Sequence, residues 1–208
     1  MKKILIIAIA LISFSGISQS KYKEGMTKAF ELWKSEKHWE AANLFERIAQ
    51  AEMDNWLPSF YVAQINVIYS FDEKDEKTLT AQLNKAQDFI NDAKAISKNN
   101  ADILVIQAQL YTAWVVFDGQ RYGMTYSQKI AQLYQEAYNL EPDNPRVAFG
   151  KVEWDIGSAR FFGQDTASFC EDLNKAVELF STYEPKGEFY PRGGEEYARG
   201  SLAQNCKE

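Results

Sequence analysis

The chain predicts an all-α fold, a solenoid of four helical hairpins closed by one capping helix. Three observations carry the prediction. Apolar side chains recur at i, i+4 and i+7 in successive segments, the spacing of one helix face. Short polar or proline-bearing stretches, "KNNAD" (98–102) and "EPDNP" (141–145), interrupt that periodicity at repeating places. Strand-like alternation never persists for more than a few residues.

The fourth, fifth and sixth helix runs show the pattern most clearly. Ala86, Ile90 and Ala93 share a face, "KNNAD" breaks it, and Leu104, Ala108 and Tyr111 restart it. Ile130, Tyr134 and Ala137 repeat the spacing, and Pro142 follows five residues later. In "HWEAANLFERIAQAE" (38–52), Trp39, Ala42 and Ala49 hold aromatic, small and small positions; Phe169, Leu173 and Ala176 form a weaker unit before "STYEP". The expected pairs are 21–36 with 39–53, 56–71 with 78–98, 101–117 with 127–140, and 145–157 with 166–182. A helix over 194–206 is expected to cap the array, because an end unit must cover its apolar face.

This arrangement of small and large residues, with Pro-Asx-Asn ending the second helix, resembles the tetratricopeptide repeat, which implies a right-handed superhelix. The alanines let helices approach closely, and the proline sets the turn into the next unit. From "PDNPRV" through "RFFGQDTASFCEDLNKAVELF" to "GGEEYARGSLAQNC", the last third is similar to a group of small exported tetratricopeptide-like proteins of Bacteroidota-type bacteria. That resemblance implies a fold and a compartment and brings no established activity. In that group an aromatic-Gly-Gly loop precedes the last long helix; Phe162-Gly163-Gln164 departs from it.

The compartment has its own signals. Lys2 and Lys3 precede an apolar run from Ile4 to Ile12 and the small, polar "SFSGISQS". This is the pattern of a secretory signal peptide, expected over residues 1–18, with a single mature domain over 19–208. The run is shorter than the roughly 20 residues that span a bilayer, so no membrane insertion is expected after cleavage. The expected product is exported, to the periplasm or beyond. The whole chain carries a formal charge of −6. Without Lys2 and Lys3, 21 basic residues stand against 29 acidic ones, a net charge of −8. That balance disfavours nucleic acid and anionic lipid as partners. Cys170 and Cys206 favour a disulfide in an oxidising compartment, the alternative being two buried thiols; a 36-residue loop is worth roughly 3–4 kcal/mol.

No catalytic constellation is evident, and a non-catalytic protein is expected. The single histidine, His38, reads as a solvated turn residue, and no second histidine is available to build a transition-metal site. "DEKDEK" (72–77) reads as a solvated linker that lacks the glycine of a calcium loop. No cofactor is expected.

The connections are unusual. "DEKDEK", "DGQRYGMTYS" (118–127) and "SARFFGQDT" (158–166) are longer than ordinary hairpin turns. Insertions at equivalent places project from one side of a solenoid, and two of these hold Arg–aromatic–Gly clusters. Arg121, Tyr122, Tyr126, Arg160, Phe161 and Phe162 are therefore candidate binding residues on one rim. The same aromatics would alternatively fold back over the solenoid, with Gly123 and Gly163 at positive φ and the arginines paired with acids or helix ends. A second candidate surface is the concave groove, lined by Asp102, Val105, Gln109 and Thr112, with Gln64, Val67 and Ser70 as rough counterparts. The leading expectation is binding of an envelope protein or peptide. A small-ligand protein, for a glycan or peptide fragment stacked on aromatics such as Tyr122, Phe161 and Trp154, is one alternative; a structural accessory subunit is another.

Overall fold

The computed structural model describes residues 19–206, so the expected signal peptide lies outside the described residues. Helix α1 covers 19–34. It is followed by α2 (His38–Ala51), α3 (Trp56–Ile68), α4 (Glu76–Ile96), α5 (Ala101–Phe117), α6 (Gly119–Leu140), α7 (Pro145–Phe161), a 3-10 turn (Ala167–Phe169), α8 (Cys170–Thr182) and α9 (Glu195–Asn205). Odd-numbered helices make the inner layer: α3 packs on α5, and α5 on α7. Helices α4, α6 and α8 pack against their hairpin partners α3, α5 and α7 on the outside, and α2 packs on α3. The four predicted hairpins and the capping helix are all present.

Local chemistry sets the boundaries. Asn55, Asp75, Asn100, Asp118 and Asn144 each cap the helix that follows, their side-chain oxygens accepting from first-turn N–H groups. Such a cap is worth about 1 kcal/mol, and Pro145 adds a pre-set φ at the first position of α7. The two punctuating stretches are thus N-caps. At the other end of α7, Gly163 takes φ +68, and the N–H groups of Gly163 and Gln164 donate to the carbonyls of Arg160 and Ala159, a Schellman close.

Inner and outer helices meet through small residues. Ala63, Ala86, Ala108, Ala137 and Ala176 are fully buried, as close helix approach requires. Helix α3, WLPSFYVAQINVI, is buried almost all round, which an apolar helix without a polar face demands. Its inner side is covered by a segment that the sequence pattern did not reveal. Residues 183–194 form a strap across the N-terminal ends of the inner helices. Tyr61 Oη donates to the Phe189 carbonyl at 2.7 Å. Phe189 lies edge-on to Tyr22 (5.7 Å) and stacks on Phe30 (5.9 Å), while Tyr190 meets Trp56 at 5.6 Å. Gly194, at φ +117, turns the strap into α9. Helix α9 packs on α8, with Ala198 and Leu202 joining the last core cluster. The Cys170–Cys206 disulfide ties the start of α8 to the end of α9, with Cα atoms 5.7 Å apart. Among the described residues, no helix is long and apolar enough to cross a membrane.

An ion pair fastens the strap near its start. Lys186 donates to Glu141, which also accepts from Asn144. Burial alone would raise the Glu141 carboxyl, but Lys186 and Asn144 outweigh it and hold the group below its ordinary 4.5; Glu141 in turn holds Lys186 above 10.5. Glu141 therefore contributes stability above pH 4.5 that is lost as pH falls through its folded value. Lys186 contributes below pH 10.5 and loses its share as pH rises through its own. Acidification below about pH 4 should thus loosen the strap before the helices melt. Trp56 emission, isolated by difference against Trp56→Phe, should shift red ahead of the loss of helical circular dichroism; coincident changes would refute this.

Candidate ligand-binding surface

The inner helices α5 and α7 end on the rim opposite the strap, and the expected insertions lie there with a different backbone. The stretch 118–127 is not a loop. Asp118 accepts from the Arg121 N–H at 3.0 Å, so α6 begins at Gly119, eight residues earlier than expected. Gly123 is helical; only Gly163 and Gly194 among the described glycines take positive φ. Similarly, α4 starts at Glu76, and α7 runs on to Phe161. The first cluster is therefore about two extra turns of helix, and the second is the last turn of α7 with its C-terminal close.

Those turns assemble an aromatic surface between α5 and α6. Tyr111 stacks on Tyr126 at 4.8 Å with planes 11° apart; Tyr126 also lies 6.1 Å from Tyr122, which meets Trp114 at 4.9 Å. Two cations flank the rings. Lys129 Nζ sits 5.6 Å from Tyr126 and 6.0 Å from Tyr111, while the Arg121 guanidinium lies 4.9 Å from Tyr122. Arg121 also pairs with Glu76 at 2.5 Å, and Tyr122 Oη donates to the same carboxylate oxygen at 3.3 Å. Burial raises the Tyr111 phenol above its usual range, with Tyr126 adding to the effect, so it is neutral at physiological pH. Large apolar side chains remain open to solvent nearby: Met124 is 98% exposed, Phe162 72% and Phe161 69%. Phe161 reaches the start of α6, its ring 3.6 Å from where a Cβ on Gly119 would stand. Exposed large apolar side chains gathered at one rim are a feature of binding sites.

The expected residues divide accordingly. Arg121, Tyr122 and Tyr126 come together, and Phe161 and Phe162 form an edge-to-face pair at the neighbouring hairpin end. Arg160 leaves them and donates to Asn205 of α9. The groove residues fare differently. Asp102 does not line an open groove: it is buried and bound to the equally buried Arg146 at 2.7 Å, beside strap residues Tyr183, Lys186 and Tyr190. Burial holds its carboxyl above the ordinary value, with Arg146 and Asn144 pulling it back. Val105, Val67 and Ser70 are buried too. Gln109 is half-buried, and Thr112 Oγ1 is turned back onto the Ala108 carbonyl at 2.9 Å. The strap occupies the N-terminal part of this face, where a free ligand would compete with a tethered segment at millimolar effective concentration. His38 is not a solvated turn residue either; it opens α2 and stacks on Tyr69 at 3.8 Å.

Trp114 and Lys129 were absent from the expected site. Their signal was present in helical spacing: Tyr111 and Trp114 are i, i+3, and Tyr122, Tyr126 and Lys129 are i, i+4, i+7. The Tyr122, Tyr126 and Lys129 spacing has meaning because 119–126 is helix rather than loop.

An all-helical solenoid with an aromatic, cation-flanked rim suits a binding protein. No family model matches the chain, and neither does any curated protein. Among solved structures, the HusA haemophore from Porphyromonas gingivalis matches with a TM-score of 0.76, over 89% of this chain and 92% of that one, at 22% identity. At that identity the likeness establishes the fold.

Proposed function

We propose that this protein is an exported, non-catalytic carrier that binds a planar, largely apolar ligand bearing carboxylates, of the tetrapyrrole class, on the α5–α6 rim. The observation that carries the proposal is the rigid Tyr111–Tyr126–Tyr122–Trp114 surface with Lys129 and Arg121 at its edges. Flat rings bury a macrocycle face, and the cations suit its acid groups. That the structural neighbour is a haemophore supports this small-ligand reading over capture of an envelope protein. The disulfide and the signal-peptide pattern support export, and the helix hairpins support a tetratricopeptide-like ancestry.

The chain's one histidine bears on the mode of binding. His38 is stacked on Tyr69 two hairpins along the rim, so a macrocycle on Tyr122 and Tyr126 has no imidazole beside it. Recognition then rests on the ring system and its carboxylates rather than on a histidine–metal bond. Absorbance titration with ferric protoporphyrin IX and with the metal-free macrocycle tests this. Both should bind with similar affinity, unchanged in His38→Ala. Tyr122→Ala/Tyr126→Ala should weaken both about tenfold or more, two aromatic contacts at roughly 0.5–1.5 kcal/mol each. Absence of a spectral shift with either macrocycle would exclude the tetrapyrrole class. Strong binding of the ferric form alone, lost in His38→Ala, would exclude the α5–α6 surface.

A further inference from the structure

A cleft of about 600 Å³ lies between α7 and α9, on the capping side of the solenoid. Its size is within the range of roughly 300–1,000 Å³ typical of small-molecule sites. Two helix faces form its walls: Glu153 and Arg160 come from α7, and Tyr197, Ser201 and Gln204 from α9. We propose that this cleft is a binding site for a neutral saccharide, separate from the aromatic rim.

The polar wall is one hydrogen-bonded chain. Arg160 donates to Asn205 Oδ1, Asn205 Nδ2 donates to the Ser201 carbonyl at 2.8 Å and to its Oγ at 3.1 Å, and Ser201 Oγ donates to Glu153. The chain fixes each planar group and leaves Arg160 with spare donors and Glu153 with spare acceptor sites. Those two side chains are seven residues apart, about 10 Å along α7. A donor end and an acceptor end at that separation suit hydroxyl groups, which accept from one and donate to the other. A phosphate or carboxylate would meet Arg160 but also Glu153 and Glu196, and an ammonium group would meet the reverse. Tyr197 supplies the flat apolar face that the C–H side of a sugar ring covers. It is 68% exposed and held edge-on to Phe149 at 5.5 Å.

Gly200 leaves a bare stretch of helix backbone in the cleft wall. Gly200 stands mid-helix in α9 and lines the cleft, and Gly157 lies between Glu153 and Arg160 in α7; a Cβ on either would meet no atom within 4 Å. Neither is required by packing, and each weakens its helix relative to alanine. A ligand that approaches the α9 backbone accounts for Gly200, which lines the cleft; nothing in the structure explains Gly157.

Saturation-transfer NMR with maltose, cellobiose, lactose and N,N′-diacetylchitobiose tests the site, with glucose 6-phosphate as the anionic control. At least one neutral disaccharide should receive saturation, and the phosphate should not displace it. Tyr197→Ala should weaken that binding about fivefold or more. Because Tyr197 also touches Phe149, Gly200→Leu is the second variant: its Cβ has room, so it should raise the melting temperature while abolishing sugar binding. Silence from all four disaccharides would overturn the proposal. So would a signal that survives both substitutions, or displacement by the phosphate.

Discussion

Replacing Arg146 with alanine is expected to destabilise the protein by about 3–5 kcal/mol, the cost of leaving one member of a buried ion pair alone. Arg146 and Asp102 are 8% and 6% exposed at their side chains, and Asn144 Nδ2 adds a 3.2 Å bond to the carboxylate. The guanidinium also lies 5.7 Å from the Phe60 ring, so its removal takes packing with it. Without Arg146, the Asp102 carboxyl should rise further. A raised folded value means the folded state holds its proton more tightly, so the deficit of Arg146→Ala should shrink as pH falls through that value. The pair itself is a different matter. Arg146 Nη1 finds no protein acceptor among the described residues, so part of its desolvation is uncompensated. Arg146→Met/Asp102→Leu should therefore recover most of the loss. Urea denaturation of the three proteins decides it: a single-variant cost under about 1 kcal/mol would mean water already reaches the carboxylate.

Removal of the disulfide should have the second-largest effect. Cys170→Ser/Cys206→Ser opens a 36-residue loop, worth roughly 3–4 kcal/mol in chain entropy. The effect should be local before it is global. Helix α9 has only 11 residues and no side-chain cap at its N-terminus, and such a helix does not persist without tertiary contacts. Hydrogen exchange in the double variant should rise first over residues 183–206, with α3 to α6 still protected. Unchanged protection of α9 would show that Ala198 and Leu202 hold it without the covalent tie.

The hairpins were legible because they rest on local information: an apolar face with helical spacing and, from α3 to α7, an Asn or Asp cap at each helix start. The connections were misread for a physical reason. Glycines in "DGQRYGMTYS" suggest a loop, but near a helix start they cost little, and the Asp118 cap outweighs them. The rim cluster was half legible. Arg121, Tyr122 and Tyr126 stand together in sequence, whereas Tyr111 and Trp114 join them only through α5 packing on α6. The strap was not legible at all. "YEPKGEFYPRGG" has no periodicity, and its meaning lies in contacts such as Tyr61 with Phe189, 128 residues apart. The same strap explains why α3 is buried almost all round.

An open helical array can unravel from either end, because each unit touches only its neighbours. Here the strap carries Phe189 from beyond the last hairpin into the aromatic cluster of α1 and α3, and Lys23 of α1 binds Glu188 at 2.8 Å. The first hairpin therefore cannot fray without releasing the last. At neutral pH, where the Lys186–Glu141 pair holds the strap, the described array should therefore melt as one cooperative unit rather than unravel from an end.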